Sequence, residues 1–133
     1  MVEKTMIETK NATILVIDDE PKVRAMICKW LALAGYGVME ASDGEQAIQM
    51  FNIRIPDLVI SDVFMPGVDG LETIGLIHRK YPHVKILALS GGGFNGTVDL
   101  LPIAMGLGAV ETITKPPDMS ILLNSIDRIL QMA

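Results

Sequence analysis

Four short apolar runs in this 133-residue chain end in residues equipped for chemistry. "ATILVI" runs into Asp18-Asp19-Glu20, "DLVIS" into Asp62, "VKILAL" into Ser90 and "AVETIT" into Lys115-Pro116. Three aspartates brought together repel one another strongly unless a cation joins them. A hard divalent ion with oxygen ligands removes that cost, and Mg2+ suits two or three carboxylates while keeping part of its water. Lys115 adds a point charge and Ser90 a hydroxyl. Cation, ammonium, hydroxyl and one spare carboxylate are what phosphoryl transfer to an aspartate needs. Asp62 is the candidate nucleophile, because it stands alone on its run facing the Asp18-Asp19 pair. Aspartates also end strands and cap helices for local reasons, and Asp19 ahead of Glu20-Pro21 fits that use. Five such groups, each at the same end of a run, do not.

These residues meet only if the runs are neighbouring parallel strands. Five runs have strand length: 12–18, 37–41, 57–62, 84–90 and 109–115. At least three are near-continuous in Val, Ile and Leu, as expected for strands covered on both faces. Helical patterns lie between them. In 21–34, Val23, Met26, Ile27, Trp30 and Leu31 form a stripe, and Gly35 follows as a C-cap. Ser42 and Glu45 match a capping box before Ala47, Ile48 and Phe51; Asp69 and Glu72 repeat that signal, and Pro82 stops the helix. Ile121, Leu122, Ile126, Ile129 and Leu130 share a face of 119–131, while the fourth helix, near 97–107, holds Pro102 and Gly106 and is the weakest pattern. Strand and helix alternate five times, which predicts an α/β fold, (βα)5, with a doubly wound parallel sheet. Ligands collect at the carboxyl ends of such strands.

Size predicts one domain. Residues 1–11 are polar and mixed, and read as a flexible tail before a domain over 12–133. A net charge of −5 argues against a non-specific nucleic-acid binder. The lone Cys28 sits in an apolar helical pattern as an inert thiol and fits a reducing compartment. No signal peptide and no run long enough to span a bilayer is visible, so a cytoplasmic protein without membrane contact is expected.

"ILVIDDEPKVR", "PDLVISDVFMPGVDGLE", the strand ending in Ser90 and "GAVETITKPPD" closely resemble receiver domains of bacterial two-component response regulators. The resemblance covers about residues 12–131 and implies a flavodoxin-like sheet with strand order 2-1-3-4-5. It implies that Asp62 is the phosphoacceptor, charged by a histidine kinase or histidine phosphotransferase. Asp18 and Asp19 would hold Mg2+ together with Asp62 and the main-chain carbonyl of Phe64. Ser90 would hydrogen-bond the phosphoryl group, and Lys115, before a cis Lys115-Pro116 bond, would pair with it or with Asp62. The downstream partner would be another protein, since no DNA-binding or enzymatic domain is attached, and the fourth and fifth elements could pair two copies weakly.

One motif competes. Gly91-x-Gly93-x-x-Gly96 matches a dinucleotide fingerprint, with Glu111 20 residues past Gly91. The fingerprint belongs after the first strand, with its acid at the end of the next. Here it follows the fourth strand, Glu111 is mid-strand, and the first strand ends in acids that repel phosphate. In a receiver, Gly91 is the small residue that leaves the site open, and the longer glycine loop is expected to be mobile until phosphorylation orders it. Two departures from the family stand out. Thr112 occupies the position of the usual switch aromatic, and Phe64 an often polar one, where it would restrict attacking water. His78 and His83 read as solvated, and Phe94 as surface packing. The alternatives are a receiver-shaped interaction module that is not phosphorylated, an aspartyl-phosphate phosphatase, for which the acid spacing is wrong, or a flavin binder.

Overall fold

The computed structural model describes residues 10–63, 70–91 and 101–132. In chain order they form β1 (Thr13–Ile17), α1 (Pro21–Leu33), β2 (Gly37–Ala41), α2 (Gly44–Ile53), β3 (Leu58–Asp62), α3 (Gly70–Lys80), β4 (Lys85–Ser90), α4 (Leu101–Leu107), β5 (Glu111–Thr114) and α5 (Met119–Leu130). The five strands make one parallel sheet in the order β2-β1-β3-β4-β5. The expected architecture and strand order are both present.

Alternate residues of the central strands feed two cores. Leu15, Ile17, Val59, Ile86 and Ala88 face one side, against Ala47 and Phe51 of α2, Ile74 and Ile77 of α3 and Ala104 of α4. Ile14, Val16, Leu58, Ile60, Leu87 and Leu89 face the other, against Ile27 and Leu31 of α1 and Leu122, Ile126 and Ile129 of α5. A strand buried on both faces has no polar positions to alternate with, which is why these runs read as continuous. Loss of this water-exposed apolar area drives the sheet and helices together.

The helix ends follow local chemistry. Gly35 has φ 98°, and the amides of Gly35 and Tyr36 return to Ala32 and Leu31 carbonyls, a Schellman closure that ends α1 as expected. The start of α2 corrects the sequence expectation by one residue. Asp43, not Ser42, is the N-cap, accepting from the Gln46 amide at 2.8 Å, while Gln46 Oε1 accepts from the Ser42 amide at 2.7 Å. In α5 the buried face holds Ser125, and Ile121 is 57% exposed. Asp118 caps this helix, accepting from the Ile121 amide. Among the described residues α4 runs over Leu101–Leu107 and contains both Pro102 and Gly106. The N-terminal tail through residue 9, the loop residues 64–69 and the glycine-loop residues 92–100 lie outside the described residues.

Candidate functional site

Parallel register brings the carboxyl ends of β1, β3, β4 and β5 to one rim. Asp62 is the last residue of β3 and pairs with Leu89; Ser90, one residue on, ends β4 and pairs with Thr114. Lys115 follows β5 directly, and its amide donates to the Ser90 carbonyl at 2.7 Å. Asp18 follows β1, with its amide on the Ala41 carbonyl at 3.1 Å. The sheet itself therefore fixes the backbone under each group.

The side chains converge. The Lys115 ammonium donates to Asp18 Oδ2 at 3.0 Å, Glu20 Oε1 at 2.9 Å and Asp62 Oδ2 at 3.2 Å. Asp18 is fully buried and Asp62 is 3% exposed. Burial by itself would push the lysine pKa down. Hydrogen bonds to Glu20 and Asp18 and the charges of Asp62 and Asp18 outweigh it, and the pKa is raised, so Lys115 is charged at any physiological pH. Ser90 is buried at the rim. The Lys115-Pro116 peptide bond is cis.

Asp18, Glu20 and Asp62 each place one carboxylate oxygen within 4.8 Å of the others. Three carboxylates less one ammonium leave two negative formal charges on hard oxygen donors, which fits a divalent oxygen-seeking ion. Asp19, between Asp18 and Glu20 in the chain and half-buried, is not one of the three. The Phe64 carbonyl lies outside the described residues. Glu20 is the residue that sequence reasoning left out of the cluster; the signal available was its place in the same acidic run. Beside Lys115 opens a cavity of about 300 Å3, lined by Glu20, Val23, Met26, Gly91, Pro116 and Pro117.

Other residues singled out in the sequence fall elsewhere. Glu111 accepts from Ser125 Oγ at 2.6 Å and from Arg128 at 2.7 Å, which ties β5 to α5 and occupies the acid that a ribose would need. Thr112 pairs with Ala88 and is half-buried. His78 and His83 are exposed, and His83 precedes β4, at the end of the sheet opposite the acids. Gly70, in α3, packs against the end of β3: a Cβ there would overlap the Asp62 carbonyl oxygen and lie 2.7 Å from Val63 Cα. Among the described residues no helix is long and apolar enough to cross a membrane.

A family model described as the response regulator receiver domain matches residues 14–127, nearly the whole chain. The chain belongs to the response regulator receiver family. As a receiver domain it is similar to the response regulator protein FleR of Pseudomonas aeruginosa, 33% identical over 117 residues that cover 88% of this chain and 24% of FleR. It is 31% identical over 120 residues to the nitrogen assimilation regulatory protein NtrX of Azorhizobium caulinodans, covering 89% of this chain and 26% of NtrX. The chain thus spans about a quarter of the length of these two relatives. Among solved structures, the receiver domain of NtrX from Brucella abortus superposes with a TM-score of 0.82 at 30% identity, covering 90% of this chain and 99% of that one. A CheY-like receiver domain from Methanospirillum hungatei, at 23% identity, shares the fold with a TM-score of 0.82 over 91% of this chain and 94% of that one.

Proposed function

We propose that this receiver domain accepts a phosphoryl group from a phosphohistidine onto a carboxylate oxygen of Asp62. The observation that carries this is Asp62 itself: a buried carboxylate at the rim of a receiver sheet, 3.2 Å from an ammonium and grouped with two further acids. In the reaction, Asp62 Oδ attacks phosphorus. The P–O bond forms as the P–N bond to the donor imidazole breaks, and the leaving imidazole takes a proton from solvent. Asp18, Glu20 and Asp62 would hold Mg2+, with Asp19 and the Phe64 carbonyl as the further donors the family implies. Bound Mg2+ would supply positive charge to the phosphoryl oxygens as they crowd the carboxylates. Lys115, charged and already 3.2 Å from Asp62, would give up part of its carboxylate pairing to meet the arriving phosphoryl oxygens. The Ser90 hydroxyl, at the end of the adjacent strand, would donate to another. The apolar cavity beside Lys115 leaves room for the donor ring. Water attacking the same phosphorus would end the signal and release inorganic phosphate.

The donor would be a sensor histidine kinase or a histidine phosphotransferase in the cytoplasm, and the output a protein partner that distinguishes the phosphorylated state. The domain acts as a phosphoacceptor in signalling rather than on a diffusible metabolite.

Treatment with a small phosphodonor and Mg2+, borohydride reduction and peptide mapping tests the assignment. Conversion of Asp62 to homoserine is expected. Reduction at another residue would move the acceptor away from Asp62, and reduction at none, in folded protein that a kinase also fails to label, would leave the domain a receiver-shaped interaction module.

A further inference from the structure

Arg24 is the fourth residue of α1, a helix with no acidic residue in its first turn and no side-chain cap from Glu20. A cation near a helix N-terminus opposes the helix dipole. The helix dipole therefore gives no reason for an arginine here. Its side chain does not run out to water either. Nη1 donates to the main-chain carbonyl of Asp18 at 2.7 Å, and Nε pairs with Glu40 Oε1 at 3.1 Å. The Arg24 side chain is only 19% exposed, while that of Glu40 is 55% exposed. Glu40 lies on β2, and the next residue, Ala41, accepts the Asp18 amide.

Each polar atom of Asp18 is thereby engaged. Its amide is on Ala41, its carbonyl on Arg24, Oδ1 on the Glu20 amide at 2.9 Å, and Oδ2 on Lys115 at 3.0 Å. Two of the four ties come from the edge strand and the first helix, not from the acid cluster. The Arg24 amide also closes on the Glu20 carbonyl at 3.0 Å, so one residue grips both ends of the segment that carries two of the three clustered carboxylates.

We propose that Arg24, anchored by Glu40, is a positioning residue that fixes the Asp18 carboxylate for the divalent cation. The role rests on the phosphoacceptor function proposed above. A planar guanidinium reaches the carbonyl and the carboxylate from two edges at once; an ammonium on the lysine stem has no such fork. Removing Arg24 leaves the buried Asp18 carbonyl without this donor and lets the 18–20 segment relax. Groups that orient metal ligands without touching the metal typically affect affinity by about 10-fold or more.

The test is a Mg2+ titration of unphosphorylated protein, read from the NMR shift of the Glu20 amide, which bonds Asp18 Oδ1. Wild type, Arg24→Ala, Arg24→Lys and Glu40→Gln are compared, each with its melting temperature and its Mg2+ dependence of labelling by a small phosphodonor. Arg24→Ala is expected to weaken Mg2+ binding about 10-fold. Arg24→Lys should not rescue it, and Glu40→Gln should weaken it roughly threefold, since its anchor is the exposed end of the pair. Labelling should recover at high Mg2+. Should Arg24→Ala fail to fold, Glu40→Gln carries the test. A lowered melting temperature with Mg2+ affinity unchanged in Arg24→Lys and Glu40→Gln would reduce Arg24 to packing and overturn the proposal. A wild type whose Glu20 amide ignores Mg2+ and which takes no phosphoryl group would refute the phosphoacceptor function and this role with it. A wild type that binds and reacts beside variants that match it would refute this role alone.

Discussion

Replacing Asp62 by asparagine should stabilise the metal-free domain. The Asp62 side chain is 4% exposed, so its charge interactions are poorly screened. Its attraction to Lys115 at 3.2 Å is about 5 kcal/mol at an effective dielectric constant of about 20. Repulsion from Asp18, with oxygens within 4.8 Å, is at least about 3 kcal/mol on the same scale. Glu20 is 58% exposed and adds about 1 kcal/mol or less after solvent screening. Attraction to Lys115 and repulsion from these two acids nearly cancel, so the pairing with Lys115 does not by itself repay the cost of taking the Asp62 carboxylate out of water. Asparagine keeps the shape and removes that charge. The expected gain is about 1–2 kcal/mol, a rise of about 3–7 °C in melting temperature for a domain of this size. Urea unfolding of both proteins at neutral pH with a chelator measures it. Added Mg2+ should narrow the gap, because the wild type gains more by binding the ion. An Asn variant no more stable than wild type in chelator would refute the reasoning, since Asp62 would then be a net stabilising member of the cluster.

Three further outcomes follow from the geometry. Burial would raise the Glu111 pKa, but hydrogen bonds from Ser125 and Arg128 and the Arg128 charge hold it below the usual carboxylate range. Its contribution is therefore present above the unfolded pKa and lost as pH falls through the folded one. The stability gap between wild type and Glu111→Gln should be about 1 kcal/mol at pH 7 and shrink as pH falls below the usual carboxylate range, read from urea melts; a gap that stays constant in acid contradicts it. The Cys28 thiol is pushed up to about 11, by burial first and then by Glu40, with Arg24 opposing. Alkylation at pH 8 should run roughly 100-fold slower than for a free thiol and slower still in Arg24→Ala; native-state reaction at the free-thiol rate would contradict it. Gly70→Ala puts a Cβ against the Asp62 carbonyl and the Val63 backbone, and should cost about 1–3 kcal/mol in denaturant melts and slow phosphoryl acceptance; wild-type stability would show that α3 shifts freely.

Much of the fold was legible because β1, β3 and β4 are buried on both faces and must be apolar at nearly every position. The helix edges were less so. Ser42 and Asp43 are both good caps, and the choice between them rests on Gln46, whose amide reaches the Asp43 carboxylate while its side chain turns back to Ser42. On α5 a stripe drawn through apolar residues took in Ile121 and passed over Ser125. A serine can be buried there because Glu111, on the preceding strand β5, accepts its hydroxyl. The same limit applies at the site. The rule that chemistry gathers at strand carboxyl ends brought Asp18, Asp62 and Lys115 together correctly. Which acid of the 18–20 run joins them depends on how the chain turns into α1, and the Arg24 contact that sets this turn also involves β2. Neither is a property of spacing.

The most direct measurement is the intact mass of wild type and Asp62→Asn after incubation with a small phosphodonor, with and without Mg2+. The account predicts the gain of one phosphoryl group in wild type with Mg2+, and none without the ion or in Asp62→Asn. Equal labelling of folded Asp62→Asn, or none of folded wild type with either a small donor or a phosphorylated histidine kinase, would contradict it.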